Sequence, residues 1–146
     1  MQSNLIVALR LGTALLIVTG LLFAHHGIAT SYESSKTFTT QATVTEFRYA
    51  NPHPQIYFDV KDEQGNIAHW RAEIAPNPPQ LIQAGWGRKR SEAALAPGTV
   101  ITITLSPSRV MDAHVGLVQK IVNAAGDLVL GTIALNPGEG APAPKK

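Results

Sequence analysis

Five histidines, at positions 25, 26, 53, 69 and 114, are the side chains of this sequence best suited to chemistry. The chain contains no Cys. That excludes disulfides, thiolate zinc centres, blue-copper centres and cysteine nucleophiles. A transition-metal site must then be built from imidazole, carboxylate or a chain terminus. His25 gains special value if the segment before it is removed. A first-residue histidine offers its α-amine and its Nδ1 to one metal, closing a six-membered chelate. The amine titrates at about 7.7–8.0 in reference peptides, so a metal can displace its proton near neutral pH. One further imidazole in trans would complete a three-nitrogen, T-shaped site, a histidine brace. Such a site suits Cu(II), which heads the affinity order for nitrogen ligands, ahead of zinc.

His53 is the candidate for the third nitrogen. It stands in Asn51-Pro52-His53-Pro54, where both Asn51 and His53 precede a proline and are pushed towards extended backbone. A ligand held in this way loses little backbone entropy on binding. The plain alternative is a polar corner residue in solvent. His26 could add its imidazole or point to water. Glu73 could orient a ligand histidine or supply an axial oxygen. His69 shares a strand face with Arg71 and Glu73, which reads as a solvated polar face. His114 follows Met111 in a loop; Met with His suits Cu(I), but the pair alone reads as surface.

The elements that must position these residues are short strands. Arg10 precedes an apolar run, residues 11–24, too short to span a bilayer comfortably, and Ala24 ends it. This is the pattern of a secretory signal peptide over residues 1–24, placing the mature chain in the periplasm or outside the cell with no membrane span. Gly27-Ile28-Ala29 offers a second cleavage point, which would remove His25 and His26. Residues 25–134 read as one domain and residues 135–146, rich in Pro, Gly and Ala, as a disordered tail. Residues 37–49 are Thr-rich and β-branched, with Phe38, Thr40, Ala42 and Val44 on one face. The apolar phase then slips to Phe47 and Tyr49, which predicts a bulge near Thr45–Glu46. Residues 55–61 and 67–74 alternate about a turn at Asp62–Asn66. Gln80–Gly85 predicts a helical turn closed by Gly85, and Ser91–Leu95 a second with Ser91 as cap. Strands follow at 99–105, 115–122 and 128–134. Five or six short strands, one of them long and bent, with a helical insert after the third, predict an all-β fold: a small OB-like barrel.

The remaining motifs are few. Twelve Lys and Arg face ten acids, for a formal charge of +2. Removing Arg10 with the signal leaves about +1, too neutral for general nucleic-acid binding. Arg88-Lys89-Arg90 could meet an anionic partner or be a solvated loop. Trp70 falls on an apolar strand face; Trp86 follows a loop glycine. No nucleophile elbow, phosphate-binding loop or zinc-protease helix motif occurs.

Five motifs appear in order: Ala24-His25-His26-Gly27, Tyr49-Ala50-Asn51-Pro52-His53, Trp70-Arg71-Ala72-Glu73, Gly85-Trp86 and Pro97-Gly98. Together they resemble a family of small exported bacterial proteins of unknown function, over most of residues 24–134. Gly27 stands where that family often has Ser. The resemblance implies cleavage after Ala24, and it implies that His25, His26, His53 and Glu73 belong to the shared pattern while His69 and His114 do not. In site chemistry alone the arrangement is similar to histidine-brace copper proteins, which include copper-resistance binders and polysaccharide monooxygenases. Three functions follow as expectations. The first is a periplasmic copper(II)-binding protein for copper handling, which would engage a protein partner in the same compartment. The second is a metal-independent OB-like module for an oligosaccharide or peptide, contacting it through Tyr57, Trp86 and Arg88–Arg90. The third is a copper monooxygenase-like enzyme, ranked below the binder.

Overall fold

The computed structural model describes residues 31–110 and 114–130. The expected signal segment over residues 1–24, His25, His26, Met111–Ala113, residues 131–134 of the expected last strand and the expected 135–146 tail lie outside the described residues. Strand β1 runs Phe38–Arg48, β2 Gln55–Lys61, β3 Ile67–Glu73, β4 Val100–Pro107, β5 Val115–Asn123 and β6 Leu128–Val129. The first half of β1 pairs with β4, from Phe38 opposite Leu105 to Thr43 opposite Val100. Its second half pairs with β2, from Thr43 opposite Asp59 to Arg48 opposite Gln55. The register slips between Val44 and Glu46, as the sequence phase predicts. Ala42 and Val44 face inward before the slip, and Tyr49 is buried after it. One strand can thus line both halves of a barrel because the bulge bends it without turning its apolar face to water.

The sheet order is β3-β2-β1-β4-β5-β6, and β3 also pairs with β5. That pairing is parallel, with Arg71–Glu73 against Val115–Leu117. It closes a five-stranded barrel to which β6 is appended, and a helical insert follows β3. This is the small all-β, OB-like barrel that the strand count predicts. Closure requires tight approach at Gly116, which sits between Ala72 and Pro107. A Cβ there would come within 3.2 Å of the Ser106 carbonyl oxygen.

The insert is two short helices, α1 (Pro78–Gln83) and α2 (Arg88–Ala94). Asn77 caps α1: its Oδ1 accepts from the Gln80 amide at 3.0 Å, and the Gln80 Oε1 accepts from the Asn77 amide at 2.8 Å. This reciprocal box, with Pro78 and Pro79 pre-set for helical φ, starts a helix earlier than the sequence reading did. The end is as expected. Gly85 adopts φ +81°, its amide bonds the Ile82 carbonyl, and the Trp86 amide bonds the Leu81 carbonyl. That Schellman turn carries Leu81 and Trp86 together into the core. Ser91 does not cap α2, which begins three residues earlier after Gly87. Ser91 is buried inside the helix, and its hydroxyl donates to the Trp86 carbonyl at 3.1 Å. Its polar atom has a partner, so burial costs little.

The core lies inside the barrel and beneath the insert. Ile56, Phe58, Ile101, Ile103, Leu105 and Ile121 are fully buried from three strands, with Leu81 and Leu95 from the insert. Trp70 is half-buried, stacked on Phe58 at 6.3 Å and tilted against Phe38 at 5.1 Å, so it packs on the core as its strand position implies. No buried side-chain N or O among the described residues lacks a hydrogen bond. The Gly85 turn therefore decides where the insert sits. Gly85→Ala places a Cβ in left-handed backbone and should lower stability by about 1–2 kcal/mol in urea denaturation. An unchanged unfolding midpoint would show that the turn does not need its glycine.

Candidate functional site

The corner between β1 and β2, residues 49–54, carries His53 and is held from three sides. Tyr49 points inward, and its hydroxyl shares one proton between the Pro78 and Trp86 carbonyl oxygens, each at 3.2 Å. Burial pushes this phenol above its usual range, so it stays a donor, although the Arg88 charge opposes the shift. The Arg88 guanidinium donates to the Tyr49 carbonyl at 2.9 Å and lies over the Tyr49 ring at 4.9 Å. On the far side the Ile74 amide bonds the Pro54 carbonyl at 2.9 Å, continuing the β2–β3 ladder past Glu73. The Asn51–Pro52 peptide bond is cis.

His53 is half-buried, and its Nδ1 lies 2.9 Å from the Ala75 carbonyl oxygen. A carbonyl oxygen can only accept, so Nδ1 carries the proton. In the neutral ring Nε2 then keeps its lone pair. A backbone carbonyl on one ring nitrogen fixes both the tautomer and the orientation of a histidine, the arrangement that typically supports a metal-ligating imidazole. Sequence spacing singled out His53, but nothing in the spacing reveals this acceptor, because Ala75 is 22 residues away.

Glu73 ends β3, opposite Gln55 and beside Leu117. It is half-buried, and its described partner is a phenol. Tyr32 is hydrogen-bonded to it, and burial first, then the Glu73 charge and that bond, push the Tyr32 hydroxyl well above its usual range; Arg71 opposes this. The N-terminal segment that bears Tyr32 is also pinned to the barrel: Tyr32 bridges to Ser108, and the Glu33 amide bonds the Pro107 carbonyl at 2.8 Å. Glu73 and His53 thus lie at the same end of the β2–β3 ribbon. Sequence reasoning did not find Tyr32, whose only signal was an aromatic residue in a polar stretch.

The other histidines lie elsewhere. His69 is exposed, with Nδ1 2.6 Å from Asp59 across the ribbon. His114 is exposed, and its ring sits 5.0 Å from Trp70. Among the described residues no three His, Asp or Glu side chains are grouped closely enough to hold a metal. His25 and His26 fall outside those residues.

The contact points expected for a metal-free module are differently placed. Trp86 is only 6% exposed and is covered by Arg90 at 3.9 Å, so it is not an open platform. Tyr57 lies under Arg48 at 4.6 Å, and its hydroxyl accepts from Arg48 and donates to Gln55. Arg48 is held in turn by both oxygens of Glu46, at 2.7 and 2.9 Å, which lowers the Glu46 carboxyl below its usual range. Arg88, Lys89 and Arg90 are exposed.

Comparison with known proteins finds one family: the family of unknown function DUF6152 matches residues 14–117. No curated protein and no solved structure matches the chain. Among the described residues no helix is long and apolar enough to cross a membrane.

The His53 geometry has a direct spectroscopic consequence. In nitrogen-15 spectra of the neutral ring, His53 should show the Nδ1-protonated form, with an unprotonated Nε2. The Nε2-protonated pattern at His53 would mean that the Ala75 contact does not set the tautomer.

Proposed function

The chain belongs to DUF6152, a family of unknown function, and from that premise we propose that it is a periplasmic copper(II)-binding protein for copper handling. The reading takes cleavage after Ala24, so that His25 becomes the first residue. The His25 α-amine and Nδ1 chelate the metal, and His53 Nε2 is the nitrogen in trans. His26 and Glu73 stand close in sequence or fold to these ligands and complete the surroundings. One observation carries the reading: the Ala75 carbonyl holds the Nδ1 proton of His53 and leaves Nε2 with a free lone pair. The absence of Cys supports it, since a nitrogen donor set meets no competing thiolate.

Copper handling fits this donor set better than turnover, because no Phe, Tyr or Trp side chain among the described residues is exposed as a substrate surface. The buried Trp86 and the covered Tyr57 give the metal-free module less to work with.

The test is Cu(II) titration of the exported, processed protein against a competing chelator. One equivalent should bind tightly. His53→Ala, and separately one extra residue before His25, should each weaken binding about tenfold or more. If neither change alters the affinity, the brace is wrong.

A further inference from the structure

The helical insert holds a charge that the rest of the chain does not. Residues 74–98 contain three cations, Arg88, Lys89 and Arg90, and one acid, Glu92, a surplus equal to the whole chain's formal +2. These cations are consecutive and exposed at the start of α2. With Gly87 and Ala93 they line a surface groove of about 610 Å³. Gly87 leaves its part of the groove open, since a Cβ there would meet nothing within 4 Å.

Two of the cations are already fixed. Arg88 is held by Glu92 at 3.1 Å, the Tyr49 carbonyl and the Tyr49 ring. Arg90 is held by the Gly85 carbonyl at 3.1 Å and the Trp86 ring. A guanidinium stacked on a ring and bonded to a carbonyl keeps several N–H groups for a further acceptor, with its rotamer entropy already lost. Lys89 has no hydrogen bond or ion pair among the described residues, so its charge is uncompensated by the fold.

We propose that this groove docks an acidic peptide segment of a partner protein, with one apolar side chain of that segment seated between the arginine stems and Ala93. Charge complementarity selects the acidic partner. The short α2 selects a peptide over a membrane surface: with seven residues it is too short for the extended apolar face that lies in a bilayer interface, while the open, apolar floor takes a single side chain. Arg88 ties the groove to the corner that carries His53. A partner seated here is placed to exchange metal with that corner, and only this purpose rests on the copper reading.

The probe is a short fluorescein-labelled peptide of alternating Asp and Glu around one central Leu. Its anisotropy is titrated with the full processed chain at low salt. Binding should saturate, weaken as salt rises, and fall about tenfold or more in Lys89→Glu and in Ala93→Glu, both at exposed positions. The same peptide with Asn and Gln in place of the acids should not bind. Three results overturn the proposal: no saturable binding at low salt, affinity in both variants equal to that of the wild type, or retention on phosphatidylglycerol vesicles without peptide binding. Copper titration of the same sample separates the two readings. A protein that binds copper but not the peptide overturns the docking alone, and one that binds the peptide but not copper overturns the brace alone.

Discussion

A single extra residue between Val44 and Glu46 sets which way the end of β1 faces, and the rest of the molecule is arranged around that choice. Side chains alternate along a strand, so an unbroken β1 would carry Phe47 and Tyr49 outward. The bulge turns Tyr49 inward instead. Its hydroxyl then reaches the carbonyls of Pro78 and Trp86, at the two ends of the loop that forms α1. Tyr49 thereby fastens the insert onto the core it shares with the barrel, and Arg88 returns a bond from the insert to the Tyr49 carbonyl. The corner that follows, with His53 in it, is fixed because both of its sides are fixed.

Closure of the barrel does the complementary work at β3. The parallel pairing with β5 positions Glu73 and, two residues on, the carbonyl of Ala75. Antiparallel pairing with β2 continues through the Pro54–Ile74 bond and brings that carbonyl under the imidazole. The histidine is thus oriented by backbone alone. A backbone acceptor depends on the register of two strands, and that register is enforced by Ile56, Phe58, Ala72 and Ile74 all facing one core. The core therefore stabilises the chemistry of an atom that it never touches.

Much of this was legible in the sequence because apolar period and turn chemistry act locally. The phase slip after Val44, the Asp62–Asn66 turn and Gly85 at the end of α1 each left a signal within a few residues, and each appears where expected. The start of α2 did not. Ser91 reads as a cap by type, yet the hydroxyl serves a buried carbonyl, and the helix begins at Arg88 without a side-chain cap. The burial of Trp86 also depends on the Schellman turn joining it to Leu81, which composition does not reveal. In the candidate site His53 and Glu73 were found by residue type. Their partners, Ala75 and Tyr32, lie 22 and 41 positions away in the chain and had no local mark. Residue identity therefore names candidate ligands, whereas the groups that orient them follow from the fold.

The proposed copper site turns on His53 Nε2. Pulsed electron paramagnetic resonance of the protein carrying one Cu(II) reads the remote ring nitrogen of each bound imidazole. Ligation through Nε2 gives echo modulation from the remote Nδ1 of His53, which is lost in His53→Gln while copper stays on the chain terminus. Identical modulation in the wild type and in His53→Gln would contradict it.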